Sequence, residues 1–289
     1  PENLNEYETP TGFSTYKTVQ KTIKIKGAPD TTFTVKTSRH GPIMNNLLKQ
    51  IDDQRPIAMQ WIYKKTDNQI LDVGYQISHA TSLHDFKEGA KLLHAPGLNM
   101  MYGDAEDNIA WIASGKLYKY RDSINTKLYL DGASGKDEIL TYIDFEDNPQ
   151  SINPASNYVY SSNNQPDTIA GVLYPGYYLP EDRGQRIEQL LEVKNDWTQE
   201  DVQQMIFDVT SPVVPQVIAN LVASLSTENF TKNEQEALQN LKNWNGEYKK
   251  EYTAPTIYNR FLYEFLEGTF KDELGESFPM FMQTPLMKK

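Results

Sequence analysis

The chain has 289 residues, of which 38% are hydrophobic and 11% aromatic, enough to build the core of one large domain or of two ordinary ones. Its 39 acidic residues outnumber its 28 basic residues, and the formal charge of −11 argues against binding to a nucleic-acid backbone. The absence of cysteine excludes disulfides, thiolate metal ligands and a cysteine nucleophile, and no apolar run approaches the ~20 residues that span a bilayer.

The first half of the chain is predicted to consist mainly of strands. Polar and apolar residues alternate with period two over 21–27 and 31–37, on either side of the turn sequence Ala28-Pro29-Asp30. This pattern predicts an antiparallel hairpin. The segment IAMQWI, residues 57–62, predicts a further strand.

A short helix and a second hairpin are predicted next. Ser82 is a typical N-cap residue, it precedes apolar residues at helical spacing, and Pro96 follows the end of this pattern. The helix leads into a strand over 98–102, an acidic turn over 104–108 and a returning strand over 109–113.

The second half of the chain carries helical patterns. Helices are predicted over 185–193, from Thr198 to 207, and over 215–225, 233–244 and 255–270. We therefore predict an α+β fold with a β-rich part over 1–165 and a mainly helical part over 166–289.

Common cofactor motifs are missing from the sequence. The four histidines, His40, His79, His84 and His94, do not form an HxxxH or HExxH pair. The acidic turn lacks the glycine and the closing glutamate of an EF-hand. A phosphate-binding glycine loop and a GxSxG nucleophile elbow are also absent. The sequence therefore predicts no metal ion and no nucleotide cofactor in this chain.

Several short segments, taken together, resemble the penicillin acylases in order and chemistry. They are TSRHGPI (37–43), APGLN (95–99), YGD (102–104) with Asn108-Ile109 and Gly115, Arg121, Asn153-Pro154, Asn157-Tyr158-Val159, Asn163-Asn164, and residues 178–186 leading into Ile187 and Leu190-Leu191. The resemblance runs from about Tyr16 to about Ser211.

This resemblance implies the αββα fold of the N-terminal nucleophile hydrolases, of which this chain would hold part of the sheet followed by a mainly helical region. Such enzymes cleave an amide bond with the N-terminal serine of a self-processed β-chain, whose α-amino group acts as the base. By resemblance, Asn99 donates its amide to the oxyanion and Arg121 orients groups around the nucleophile. A periplasmic or secreted location, a small N-acyl substrate and a partner from the processed α/β heterodimer are also implied. Structural calcium in the full-length protein is compatible with the family, but its ligands are not identifiable in this chain.

Physical chemistry supports these two roles independently. An amide N–H is a neutral donor, and losing one such donor to an oxyanion typically costs about 10² to 10³ in rate. Arginine offers a fixed fork of donors that stays charged. The structural alternatives are that Asn99 satisfies backbone groups at a strand end and that Arg121 is an ordinary surface residue.

The other polar residues of the matched segments are interpreted as structural. His40 precedes a Gly-Pro turn, and Asn163 and Asn164 are expected to stabilise a turn through side-chain to backbone bonds. Arg183 and Arg186 are expected to hold a loop or an acidic partner. The apolar side chains of Trp61, Met100, Met101, Tyr102 and Trp111 are expected to belong to the core.

The sequence departs from the family pattern at its first residue, because Pro1 carries no side-chain nucleophile. We therefore expect an internal fragment of the β-chain that is inactive by itself. Its substrate stays open among β-lactams, acyl-homoserine lactones and peptide or lipopeptide amides. Two alternatives are an acylase-derived binding or scaffold module that associates through residues 185–270, and an unrelated secreted carbohydrate-binding protein, suggested by the tyrosine and tryptophan content.

Overall fold

The computed structural model describes residues 3–45, 47, 55–67, 69–166, 174, 176–226 and 228–284. The chain divides into two compact units, the first formed by 1–155 with 166–177 and the second by 156–165 with 178–289. Helices and strands both occur, as the α+β prediction requires. The division into a β-rich and a helical part at residue 165 stays a prediction.

The described part of the first unit contains strands and two helices. The strands are β1 (Glu6–Thr9), β2 (Gly12–Thr15), β3 (Lys17–Ile23), β4 (Thr31–Thr37), β5 (Leu98–Gly103), β6 (Ile109–Ser114), β7 (Tyr118–Lys119), β8 (Thr141–Tyr142) and β9 (Gln150–Ile152). The helices are α1 (Ile70–Ser78) and α2 (Leu83–Lys91). Strands β1 and β2, β3 and β4, and β7 and β8 form antiparallel pairs, and β5, β6 and β9 form a three-stranded sheet in that order.

Both hairpins predicted from the sequence are confirmed. In the first, β3 begins at Lys17 rather than Lys21 and ends opposite Thr31, so that the connection between the strands is longer than the predicted turn. In the second, β5 and β6 pair from Leu98 with Ser114 to Gly103 with Ile109. The elements missed by the sequence analysis include α1, the β1–β2 pair and the three-residue strand β9.

The strand predicted over 57–62 is wrong. Ala58 takes part only in an isolated bridge with Ile43, and residues Ile62–Lys64 form a 3₁₀ turn. A short apolar run without alternation does not distinguish a strand from an irregular segment. The hydrogen bonds with the 42–44 segment, such as Met59 N to Pro42 O at 2.9 Å, do not extend into a ladder.

The core of the first unit lies between its helices and the three-stranded sheet. Ser82 begins α2 as predicted, because its hydroxyl accepts a hydrogen bond from the Asp85 backbone N–H at 3.1 Å. Phe86 on this helix packs against Ala110 and Ile112 of β6. Partly buried side chains surround this cluster: Ile77, Ala80, Leu83, Met100, Tyr102 and Phe145. Since successive side chains of a strand point to opposite faces, Trp111 and Ala113 lie on the other face of β6.

The described part of the second unit is helical. Its helices are α3 (Asp182–Leu191), α4 (Gln199–Ile206), α5 (Val214–Ala223), α6 (Lys232–Lys242), α7 (Ala254–Leu274) and α8 (Phe278–Phe281). The predicted helices over this region are confirmed with shifted ends. Thr198 and Thr231 each begin a helix with a capping box. The buried core consists of Val214, Ile218, Leu241, Trp244, Ala254 and Tyr258.

Across the described ranges, no helix combines the length and the apolar character that crossing a bilayer requires.

Candidate active site

Asn99 lies on β5 directly opposite Ala113 of β6, two positions from the pair formed by Met101 and Trp111. Because side chains alternate along a strand, Asn99 and Trp111 are diagonal neighbours on the face of the hairpin that points away from α2. The side chain of Asn99 is exposed, whereas Trp111 is buried. The hairpin therefore presents the predicted oxyanion donor at its surface, next to a buried indole.

The indole of Trp111 determines which way the Asn99 amide points. The Trp111 Nε1–H donates a hydrogen bond to Asn99 Oδ1 at 3.2 Å. An indole N–H is a donor only, so the atom it meets must be the carbonyl oxygen of the amide. The amide NH₂ group, which carries both donor hydrogens, is consequently on the branch of Asn99 that points away from the indole.

The acidic turn between β5 and β6 is organised around one carboxylate. Asp104 Oδ1 accepts hydrogen bonds from the backbone N–H groups of Glu106 and Asn108, each at 2.9 Å. Asp104 Oδ2 accepts from the Asn108 amide and from the Tyr102 hydroxyl, each also at 2.9 Å. The bonds from Asn108 are the main cause that lowers the pKa of Asp104. The left-handed residue of the turn is Asp107, with φ 63°.

Two asparagines that were not assigned to the site from the sequence support the hairpin through hydrogen bonds to β6 and to the residues next to it. Asn153 Oδ1 accepts from the Ile109 N–H at 2.9 Å, and its amide donates to Asn108 Oδ1 at 3.0 Å. Asn148 is buried and donates to the backbone oxygens of Ala113 and Gly115, each at 3.0 Å. Asn148 thereby holds β6, the strand that faces Asn99. The sequence marks Asn148 only by the proline that follows it.

Arg121 follows β7 and lies at the surface of the first unit. Its Nη1 donates to the backbone oxygen of Lys136 at 2.9 Å, in the segment that connects β7 with β8. The structure thus places Asn99 and Arg121 in the same unit and gives each a different partner. The surface alternative considered for Arg121 is correct about its exposure, but the guanidinium is tied to backbone rather than to an acidic side chain.

The interpretations of the other polar residues agree with the geometry. His40 Nε2 lies 2.9 Å from Glu138 Oε1. Asn164 Oδ1 accepts from the backbone N–H and the hydroxyl of Ser162, which forms the expected turn. Arg183 donates to the Ser162 backbone oxygen, and Arg186 binds Asp208 through two contacts at 2.9 and 2.7 Å.

The expectation that the aromatic and methionine side chains belong to the core holds only in part. Trp111 is buried, and Met100 and Tyr102 pack against the Phe86 cluster. Met101 and Trp61 are about half exposed, at 47% and 48%. Met101 lies on the Asn99 face of β5, opposite the buried Trp111. Trp61 is exposed because the segment predicted as a strand ends in a 3₁₀ turn.

Within the described residues, no group of three or more histidine, aspartate or glutamate side chains is arranged to hold a metal ion. The carboxylate of Asp104 is used by the hydrogen bonds of its own turn.

The sequence model of the penicillin amidase family matches residues 1–288 of this chain. The chain belongs to the penicillin amidase family. The resemblance found in the short segments is thereby confirmed at the level of the family.

The relatives of this penicillin amidase chain carry acylase names. An acyl-homoserine lactone acylase, QuiP, of Pseudomonas aeruginosa is 25% identical over 284 residues, which cover 89% of this chain and 32% of that protein. The penicillin G acylase of Escherichia coli is 28% identical over 181 residues, which cover 61% of this chain and 20% of that protein. The chain therefore spans about a third or less of the length of the curated relatives it matches.

The fold of this penicillin amidase chain matches that of a solved acylase. A thermostable penicillin G acylase from Alcaligenes faecalis superposes with a TM-score of 0.73 at 19% identity, over 96% of this chain and 50% of the other. The likeness confirms the predicted fold class.

Proposed function

We propose that this chain is part of an N-acyl amide hydrolase in which Asn99 binds the oxyanion and Arg121 orients the groups around the nucleophile. One observation carries the proposal: within a penicillin amidase chain, the Asn99 amide is exposed and its orientation is set by Trp111. A fixed neutral N–H donor stabilises negative charge that develops on the carbonyl oxygen during attack, because no reorganisation is needed at that moment.

The nucleophile of this reaction is proposed to come from outside these 289 residues. The curated relatives are much longer than the part that the chain matches. In the proposed mechanism the hydroxyl of an N-terminal serine, produced by self-processing, attacks the acyl carbon while its own α-amino group takes the proton. The α-amino group then gives this proton to the amine as it leaves, and water hydrolyses the acyl-enzyme. This chain alone would provide the Asn99 donor without the attacking group and would not turn over substrate.

The substrate class is proposed from the relatives and stays broad. The names of the two relatives refer to penicillin G and to acyl-homoserine lactones. Both are acyl amides, and we propose a small N-acyl amide as substrate of the whole protein, with quorum quenching as one use of that activity. A periplasmic or secreted location and a processed α/β heterodimer complete the proposal.

The first experiment uses the gene expressed with its native flanking sequence. Mass spectrometry and N-terminal sequencing would identify a cut before a serine. Hydrolysis would be measured on phenylacetyl amides, N-acyl-homoserine lactones and lipopeptide amides. In the processed protein, Asn99→Ala is expected to lower kcat by about 10² to 10³ with a small change in KM.

The matched control is Asn220→Ala, because Asn220 is an exposed asparagine on α5 whose side-chain oxygen accepts a hydrogen bond from Gln216 of the same helix. Wild-type rates in a folded Asn99→Ala protein would contradict the role of Asn99. An uncut chain that hydrolyses none of these amides would instead favour the binding or scaffold module.

A further inference from the structure

The segment that holds Arg121 is a long connection between β7 and β8. Of this connection, residues 131–138 are here called the support loop. The contact with Arg121 is made by the backbone oxygen of Lys136, which accepts from Nη1 at 2.9 Å. A backbone oxygen is placed by the conformation of the loop around it. The orientation of Arg121 therefore depends on whatever fixes the support loop.

The support loop is closed on itself by two aspartates. Asp137 Oδ2 accepts from the Asp131 backbone N–H at 2.7 Å. Asp131 Oδ1 accepts from the N–H groups of Ala133 and Ser134 at 2.9 and 3.1 Å. The bond between Asp131 and Asp137 joins the beginning of the loop to its end, next to Lys136, and the other two bonds fix the turn that follows Asp131.

The closed loop is attached to the turn of the RHGPI segment at two points. Glu138 Oε1 lies 2.9 Å from His40 Nε2 and 2.5 Å from Arg39 Nη2. The same Arg39 nitrogen donates to the Gly132 backbone oxygen at 2.9 Å. Arg39 thus bridges the two ends of the support loop. The carboxylate of Glu138 contacts both Arg39 and His40.

The contact between Gly132 and the RHGPI turn leaves little free space. A Cβ added to Gly132 would lie 3.3 Å from two atoms of the His40 imidazole, which is closer than nine in ten such contacts in proteins. The imidazole therefore lies against the loop backbone while its Nε2 meets Glu138. Burial raises the pKa of the Glu138 carboxyl, but the hydrogen bond and charge of His40, together with those of Arg39, more than offset this and lower it.

We infer that Glu138 is a positioning residue: by binding Arg39 and His40 it fixes the support loop, and through Lys136 it sets the orientation of Arg121. This inference rests on the proposed function of Arg121. It assigns a purpose to Arg39 and His40, since the RHGPI turn anchors a loop that holds a residue more than eighty positions further along the chain. In this role Glu138 acts through Arg121 and not by contact with the substrate.

The test uses the full-length, processed protein and the variant Glu138→Gln, which keeps the size of the side chain and removes its charge. We expect kcat to fall by between about 10-fold and 100-fold, as for a small displacement of a reacting group, with KM within about 2-fold of the wild type. Glu138→Asp, which restores the charge, is expected to recover part of the loss. The control is Glu146→Gln, which removes the exposed ion pair with Lys87 in the same unit.

A double-variant cycle separates positioning from a general structural effect. If Glu138 acts through Arg121, then Glu138→Gln adds little to the loss already caused by Arg121→Lys. Fully additive losses in the double variant would overturn the inference. If Glu138→Gln does not fold, Arg39→Gln breaks the same attachment from the other side and takes its place in the cycle.

Hydrogen exchange distinguishes failure of this inference from failure of the proposed function. Amide exchange in peptides covering 131–138 is expected to rise in Glu138→Gln and to stay unchanged in Glu146→Gln. If the wild-type protein hydrolyses no amide, the proposed function is refuted. The exchange measurement then decides by itself whether Glu138 fixes the support loop. Unchanged exchange in Glu138→Gln would overturn the inference whatever the activity.

Discussion

The indole nitrogen of Trp111 lies 3.2 Å from the side-chain oxygen of Asn99 and donates a hydrogen bond to it across the β5–β6 hairpin. The relationship depends on the pairing register, since Asn99 faces Ala113 and Met101 faces Trp111. A shift by one residue would move Trp111 to the opposite face of the sheet. The buried indole therefore connects the packing of the hairpin to the chemistry of its exposed asparagine.

Replacing Trp111 by phenylalanine is expected to release the Asn99 amide from its fixed orientation. In the processed full-length protein we expect kcat to fall, by less than the about 10² to 10³ expected when the donor itself is lost. Removal of a partly buried hydrogen bond and of part of a buried ring should also cost about 1–3 kcal/mol of unfolding free energy. Steady-state kinetics and urea denaturation measure the two effects.

Trp61→Phe is the matched control for that change, because Trp61 is about half exposed and lies outside the hairpin. Its rates and stability should stay close to the wild type. Equal kinetic losses in the two tryptophan variants would mean that the indole of Trp111 has no specific effect on Asn99.

Truncation of Ile112 tests the core between α2 and the sheet. Ile112 is fully buried against Phe86 and Ala110, so Ile112→Ala removes apolar contacts and leaves a cavity. The expected cost is about 2–5 kcal/mol of unfolding free energy. Leu71 on α1 is 85% exposed, and Leu71→Ala should stay within about 0.5 kcal/mol. Chemical denaturation measures both variants. If Ile112→Ala and Leu71→Ala lowered the unfolding free energy by similar amounts, Ile112 would not belong to the core of this unit.

Gly41, in the RHGPI segment, is predicted to tolerate no side chain. Its φ is 153°, and an added Cβ would lie 2.0 Å from the backbone oxygen of Met59. Gly41→Ala should therefore lower the unfolding free energy by more than about 1 kcal/mol. Gly74, on the exposed surface of α1, has open space around it, and Gly74→Ala should stabilise the helix by about 0.5–1 kcal/mol.

Thermal melting of the two glycine variants provides the comparison, since the chemical change is identical. Opposite shifts of the midpoint are expected. A stabilised Gly41→Ala protein would show that Gly41 does not lie close to the backbone oxygen of Met59 in the folded state in solution.

The start of α4 is expected to make stability depend on pH in the acidic range. The hydrogen bond from Lys194, followed by those from the backbone and side chain of Thr198, lowers the pKa of Asp201 to about 2. In the unfolded chain an aspartate has a pKa of about 3.9. The unfolded state thus binds the proton more tightly, so the contribution of Asp201 is present above about pH 4 and is lost as the pH falls towards 2.

Asp201→Asn tests this assignment by removing the titrating group. Urea denaturation of the variant and the wild type between pH 5 and pH 2 should show that their stability difference narrows as the pH falls. A difference that is constant over this range would exclude the ionised Asp201 as its source.

Much of the secondary structure was predictable because local chemistry decides it. Ser82, Thr198 and Thr231 cap the helices that follow them, and each cap is made by side chains within three positions. The β5–β6 hairpin follows from two apolar runs around an acidic turn. The segment 57–62 was misjudged because an apolar run contains no information about whether a neighbouring strand is there to pair with it.

The sequence by itself determined the class of fold, the family resemblance and the choice of Asn99 and Arg121, because these depend on residue types in a recognisable order. Only the tertiary structure decided how those side chains are held. The bond from Trp111 to Asn99 requires a register between strands, and the attachment of the Arg121 support loop joins Arg39 and His40 to Glu138, almost a hundred positions away. Contacts over such separations arise from chain packing, which no local pattern encodes.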